Sequence, residues 1–266
     1  LKEIIKDRDN DALELKNTIS VFIKGQNSKK FFDLFTNDFK KIFSQNLNFK
    51  KSEKMNSDIS FNIDNSLRDE EYKIEIDKNV IITGGSYNAI SMAKSSLLQI
   101  IKLKGNKTII LPKSKIFDMP DSSYRGLMID LSRMWHSIES IRNVIDLASF
   151  YKIKYLQLHL SDDQAFVFPT DSFPNLPTPD RPYTKKDFVE LVEYAKIRGV
   201  TIVPEIDVPG HSRQFIETYP KIFDVNNGIK KSNVINIANE KVYKALDQII
   251  AEVAEVFYNS PFIHMG

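Results

Sequence analysis

Residues 154–164 read KYLQLHLSDDQ. A short apolar run ends at His159-Leu160 and passes at once into Ser161, Asp162, Asp163 and Gln164. Bounded by turn-forming residues, it reads as a buried strand whose C-terminal end delivers polar groups. Three other stretches share this form. RGLMIDL (125–131) runs into Ser132 and Arg133; VTIVPEID (200–207) runs into Pro209, Gly210 and His211; FIHMG (262–266) carries His264. Helical patterns separate them. Ser137 to Phe150 places Ile138, Ile141, Ile145 and Ala148 on one face. Thr184 to Arg198 opens on the pair Thr184 and Asp187 and has Gly199 just past its end. Asn239 to Tyr258 keeps Val242, Leu246, Ile249, Val253 and Val256 in register. Strand–helix alternation of this kind implies a parallel sheet with right-handed crossovers. Four such strands fit either an open doubly wound sheet or the first half of an eight-stranded barrel.

The front of the chain has a different pattern. NTISVFIKG (17–25) is a strand, and SKKFFDLFTNDFKKIF (28–43) is a helix with Phe31, Leu34, Phe35, Phe39 and Ile42 on one face. DISFNID and EYKIEIDKNVIITGG alternate as strands do, with Asp77-Lys78-Asn79 as a turn. Ser86 to Lys102 is a helix capped by Ser86 and ending near Gly105, and the strand KTIILP follows. The TGGS stretch (83–86) lacks a lysine and reads as a plain strand-to-helix turn. Lys113 to Ser123 is rich in Ser, Asp and Pro and shows no period, so the domain boundary is placed there.

Composition narrows the function classes. The 266 residues are 42% hydrophobic and 27% charged, with a formal net charge of +2, which is ordinary for a globular chain. That charge is too small to make nucleic acid or an anionic membrane the main partner. No apolar run reaches the ~18 residues of a membrane span. The opening LKEIIKDRDNDALELK is charged throughout and has no signal-peptide pattern. Without cysteine, disulfides and thiolate metal sites are excluded.

Ionisable groups gather where the strands end: Asp130 and Arg133, then His159, Asp162 and Asp163, then Glu205, Asp207 and His211, then His264. In a βα barrel that rim carries the chemistry. A carboxylate such as Asp130 or Glu205 serves equally to pair an arginine, a histidine within an apolar strand is often a core residue, and Asp162-Asp163 suits a turn. Coincidence at one rim favours a site. Three readings remain open. Carboxylates with histidines suit general acid–base work on a glycosidic bond. His159, Asp162, Glu205 and His211 also include metal-ligating types, although their spacing matches no compact metal motif. A non-catalytic sugar-binding cleft uses the same groups, with Trp135 as an aromatic platform.

The motifs YRGLMIDLSRMW, YLQLHLSDDQAF, GVTIVPEIDVPGHS and FIHMG resemble, in order and spacing, those of the family 20 glycoside hydrolases, the β-N-acetylhexosaminidases. EYKIEIDKNVIITGGSYNAISMAKSSLLQII and IFDMPDSSYRG resemble the small domain preceding their barrel. The resemblance implies an α/β chain: a small N-terminal α/β domain over residues 1–120, then the first half of a TIM (β/α)8 barrel over 121–266. It implies that Arg133 holds hydroxyls of the terminal sugar, that Asp162 and His211 support the general acid, and that His159 and Glu205 line the same pocket. The acetamido oxygen of the substrate is then the nucleophile, with retention of configuration and with no metal or cofactor. In the family, His-x-Gly continues into Gly-Asp-Glu, the Asp steadying the acetamido group and the Glu acting as general acid; both lie beyond Gly266. The 266 residues alone are therefore expected to be inactive, and the exposed edges of a half barrel to favour aggregation. The expected partner is an oligosaccharide or glycoconjugate with a terminal N-acetylhexosamine, met in the periplasm or outside the cell. Two departures from the family pattern bear on linkage preference: Met134 stands where His is frequent, and Phe166 where Trp is frequent.

Overall fold

The computed structural model describes residues 2–6, 11–25, 27–45, 47–105, 107–225 and 232–266. The chain forms two compact units. The first is Leu1–Ser123 with Ser149–Lys152 and Ile197–Gly199, and the second is Tyr124–Ala148, Ile153–Lys196 and Val200–Gly266.

The first unit contains β1 (Glu3–Lys6), β2 (Ala12–Lys16), β3 (Thr18–Ile23), α1 (Ser28–Phe43), β4 (Asn48–Ser52), β5 (Ile59–Ile63), β6 (Tyr72–Ile76), β7 (Val80–Gly84), α2 (Tyr87–Ile100), β8 (Lys102–Lys104), β9 (Thr108–Pro112) and β10 (Ser114–Asp118). A mixed seven-stranded sheet runs β1-β10-β6-β7-β5-β3-β4, beside an antiparallel β2-β9-β8 sheet. Phe31, Leu34, Phe35 and Phe39 of α1 are buried, with Phe31 and Phe35 packing edge-on against Phe61 of β5. Ile42 departs from the expected face and is exposed, while its neighbour Phe43 packs against Phe39 with ring centroids 4.6 Å apart. At the start of α2 the Ser86 hydroxyl accepts the Ala89 N–H.

Two expectations for this unit are corrected. The helix after Ser86 stops at Ile100, and Lys102–Lys104 turns back through Gly105 (φ +61°) to pair with β9. The stretch Lys113–Ser123 is not structureless, since β10 pairs with both β6 and β1. Its inward residues are Ser114, Ile116 and Asp118, so two polar side chains hide the alternation. The buried Asp118 carboxylate accepts the Tyr72 hydroxyl at 2.6 Å, which compensates its burial. The charged opening stretch also holds β1 and β2, the first an edge strand and the second an outer strand of its small sheet, where charged side chains reach water.

In the second unit the elements are β11 (Gly126–Asp130), α3 (Ile138–Phe150), β12 (Tyr155–His159), α4 (Lys185–Ile197), β13 (Thr201–Glu205), α5 (Arg213–Thr218), α6 (Pro220–Phe223) and α7 (Glu240–Val256). The strands form a parallel sheet in the order β11-β12-β13. Leu156 and Leu158 of β12, Ile141 and Ile145 of α3, Phe188 and Leu191 of α4, and Ile249 and Val253 of α7 share one core. Helix ends follow the sequence signals. Thr184 N–H donates to the Asp187 carboxylate at 2.8 Å while Asp187 N–H donates to the Thr184 hydroxyl at 3.1 Å, and Gly199 has φ +72°. The expected fourth strand is a single parallel bridge, Glu205 to His264, among the described residues. His264 N–H donates to Pro204 O at 2.9 Å, Ile206 N–H to His264 O at 3.0 Å and Val208 N–H to Met265 O at 3.0 Å, so this segment lies alongside β13. Among the described residues no helix is long and apolar enough to cross a membrane.

Glu252 of α7 fastens the loop between β12 and α4. Its carboxylate accepts the Thr170 hydroxyl at 3.0 Å, the Asp171 and Ser172 N–H groups at 2.7 and 2.9 Å, and the Lys185 ammonium at 2.8 Å. Burial pushes its pKa up, but Lys185 and the loop donors outweigh this and hold it at about 2. Glu252→Gln, which replaces an acceptor by a donor, is expected to cost about 2 kcal/mol in denaturant unfolding. The folded pKa is below the ordinary 4.5, so the contribution is full above pH 4.5 and disappears as pH falls through 2. An equal loss at pH 2 and pH 7 runs against this account.

Candidate active site

The register of the parallel sheet is in phase. Asp130, His159 and Glu205, each the last residue of its strand, are direct cross-strand partners, and His264 bridges Glu205 on the far side. Four ionisable residues therefore form one row along the C-terminal rim, fixed by ladder hydrogen bonds rather than by loop conformation.

His159 is the centre of the row. It is 4% exposed, with Nδ1 2.8 Å from Glu205 Oε2 and Nε2 2.9 Å from Asp162 Oδ2. A carboxylate at each nitrogen requires a donor at each nitrogen, which only the imidazolium supplies. Burial opposes that charge, but the hydrogen bonds to Glu205 and Asp162 prevail and raise the pKa to about 9. Glu205, 5% exposed, also accepts from Gln157 Nε2 at 2.8 Å and lies 3.1 Å from His264 Nδ1. Burial pushes its carboxyl up, yet His159 and Gln157 hold it at about 2.

Asp130 shapes the turn that presents Arg133. Its Oδ1 accepts the N–H groups of Ser132 and Arg133 at 3.0 and 2.9 Å, and its Oδ2 takes Arg133 Nη1 at 2.6 Å. Burial acts against this carboxylate, while the Arg133 backbone and guanidinium bring its pKa below the usual range. The other arm of the guanidinium, Nη2, lies 2.5 Å from Asp162 Oδ2. Asp162 is thus the hub. Arg133, His159 and, at 3.4 Å, His211 Nδ1 converge on its Oδ2, while Oδ1 takes the Asp163 N–H at 2.6 Å. His211 has φ +47° and a half-exposed side chain. The following Ser212 is fully buried, its N–H on Asn233 O and its hydroxyl on Gly210 O, so the turn is held in this left-handed form. Asp207 is half-buried nearby and its pKa is raised, by burial first, against the pull of His211 and His159.

All five expected site residues, Arg133, His159, Asp162, Glu205 and His211, are therefore in one connected network. They divide by exposure. Arg133 and His211 reach solvent, whereas His159, Asp162 and Glu205 lie beneath them. Gln157 was not anticipated, although it sits two residues before His159 on the same strand face.

His159, Asp162 and Asp207 each offer a ligand atom within 4.8 Å of the others, as do Asp162, Asp163 and His211. A cation at the first group needs a lone pair on an imidazole protonated to about 9 and displacement of the Arg133 guanidinium from Asp162. The donor set is built for an ion-pair network. In NMR titrations His159 is expected to lose its proton near pH 9, and Glu205→Gln to lower that value. Relative to an ordinary 6.5, the raised pKa stabilises the fold fully below pH 6.5 and loses this effect as pH rises through 9. The depressed Glu205 value acts fully above 4.5 and is lost as pH falls through 2. The pair is strongest between pH 4.5 and 6.5; an unperturbed His159 titration contradicts it.

A parallel βα sheet with carboxylates, histidines and an arginine along its C-terminal rim is the arrangement in which (β/α)-barrel enzymes carry their chemistry. The chain belongs to glycosyl hydrolase family 20: the catalytic-domain model of that family matches residues 123–266, and its domain 2 model matches residues 5–119. The second unit is accordingly part of a TIM barrel. A beta-hexosaminidase of Vibrio furnissii is 30% identical over 240 residues, covering 79% of this chain and 39% of the relative. The chitooligosaccharidolytic beta-N-acetylglucosaminidase of Bombyx mori is 32% identical over 218 residues, covering 74% and 37%. Among solved structures, the GH20 exo beta-N-acetylglucosaminidase of Vibrio harveyi in complex with N-acetylglucosamine superposes with a TM-score of 0.86 at 25% identity, over 99% of this chain and 45% of that one. The Flavobacterium johnsoniae chitobiase gives 0.84 at 27% identity, over 100% and 43%. The chain thus spans less than half the length of these relatives.

Proposed function

We propose that the full-length protein containing these residues removes terminal β-linked N-acetylhexosamine with retention of configuration, the substrate's own acetamido oxygen acting as nucleophile. The observation that carries this reading is the convergence of Arg133, His159 and His211 on one oxygen of Asp162. In the proposed mechanism Arg133 directs its free N–H groups at hydroxyls of the terminal sugar. Asp162 fixes the tautomer of His211, which in turn orients the general acid and keeps it protonated near neutral pH. His159 and Glu205, buried and paired, act as positioning residues that hold Asp162. The acid itself and the Asp that steadies the acetamido group are the Asp-Glu pair that the family pattern places one glycine after His-x-Gly. Two relatives, one solved in complex with N-acetylglucosamine and one chitooligosaccharidolytic, support the substrate class. Such glycans lie in the periplasm or outside the cell, where we place the protein.

The test compares the 266-residue chain with the full-length protein on aryl N-acetyl-β-glucosaminide and galactosaminide. Only the longer protein is expected to hydrolyse them. Fluorinating the acetamido methyl weakens its oxygen as a nucleophile, and kcat is expected to fall with each fluorine. A full-length protein that is inactive, or indifferent to fluorination, refutes the assignment. A second reading, sugar binding without hydrolysis by the 266 residues alone, is favoured by a guanidinium that is both fixed and half-exposed.

A further inference from the structure

Trp135 is the single tryptophan of the chain, and it is 45% exposed. Its indole is nevertheless held. It stacks on Tyr183 with ring centroids 6.2 Å apart and an interplanar angle of 25°. Tyr183 is buried, packs against Phe188 at 5.3 Å, donates its hydroxyl to His136 O at 2.5 Å and accepts the His136 N–H at 3.1 Å. Two residues earlier, Arg181 donates to the Ser132 carbonyl. The segment 181–183 therefore braces the segment 132–136 at both ends. Arg133 and Trp135 lie on the braced span, the first fixed by Asp130 and Asp162, the second by Tyr183.

A pyranose ring offers a C–H face and a rim of hydroxyls. A rigid aromatic surface complements the face, and a fixed guanidinium complements the rim. Ordering these groups before binding reduces the entropic cost of binding. We infer that Trp135 is a stacking platform for a sugar ring next to the one held by Arg133, so that the site prefers β-linked N-acetylhexosamine oligosaccharides to the single sugar. The inference rests on the reading of Arg133 as a sugar-binding residue.

Ligand-observed NMR titration of the full-length protein with a sulfur-linked, non-hydrolysable N,N′-diacetylchitobiose is expected to give a Kd about tenfold below that of N-acetylglucosamine. Ligand-observed NMR then follows the variants: Trp135→Ala removes the preference and Trp135→Phe retains most of it, with circular dichroism reporting on folding. Equal Kd values for the two sugars, or a preference that survives Trp135→Ala, overturns the platform. If N-acetylglucosamine binds in an Arg133-dependent way while the preference is missing, the platform alone falls. If neither sugar binds, the platform and the reading of Arg133 fall together.

Discussion

In the full-length protein, Asp162→Asn is expected to lower kcat by about a thousandfold, within the range by which positioned acid–base groups accelerate reactions. The substitution changes almost no volume, so packing is not the cause. Asp162 Oδ2 is hydrogen-bonded to His159 Nε2 at 2.9 Å and lies 2.5 Å from Arg133 Nη2 and 3.4 Å from His211 Nδ1, while Oδ1 accepts the Asp163 N–H. Asparagine has one acceptor oxygen and one NH2 group. Either the His159 N–H with the Arg133 guanidinium, or the Asp163 N–H, must then face that NH2 group. The carboxylate charge beside His211 Nδ1 is then lost. A negative charge near the general acid raises its pKa, so its removal lowers that pKa. The alkaline limb of the kcat profile therefore shifts to lower pH. A kcat within threefold of the native enzyme with an unmoved alkaline limb rules out the supporting role of Asp162.

The second large effect is expected at Arg133. Arg133→Lys keeps the charge and most of the length, but an ammonium cannot span two carboxylates as a planar fork does. In the native geometry Nη1 serves Asp130 and Nη2 serves Asp162. Lysine retains one of these contacts and loses the fixed direction of its remaining donors. Loss of kcat/KM by about a hundredfold, carried mainly by KM, is the expected result for a group that holds substrate hydroxyls. A normal KM with a depressed kcat assigns Arg133 to the acid-supporting network instead.

The parts of this chain legible from sequence are those where a single period dominates. Strands β11 to β13 are apolar runs that end in polar residues, and the helices between them bury one face, so both their order and the rim could be read. What escaped has a common cause. In β10 the inward positions include Ser114 and Asp118, made tolerable by partners far along the chain, such as Tyr72. In β1 and β2 the outer positions relieve charged residues of any need to be buried. Residue identity also does not reveal protonation. His159 reads as a core or a pocket histidine until a carboxylate is found at each of its nitrogens. Arg181 and Tyr183 carry no periodic signal at all, and their bracing of residues 132–136 depends on a loop folding back across some fifty positions.

The in-phase row of strand ends has an evolutionary consequence. Asp130, His159 and Glu205 belong to the ladder, whereas Arg133, Trp135 and His211 belong to the loops that begin just after it. Insertions in those loops leave the register of the strands untouched. A lineage can therefore lengthen, shorten or redecorate the sugar-facing loops by small genetic steps while the proton-handling foundation is inherited intact. Slippage of a strand by one residue, in contrast, turns every side chain of that strand to the opposite face and dismantles the row at a stroke. Diversity among descendants of this architecture should consequently accumulate after positions 130, 159 and 205, and very little before them.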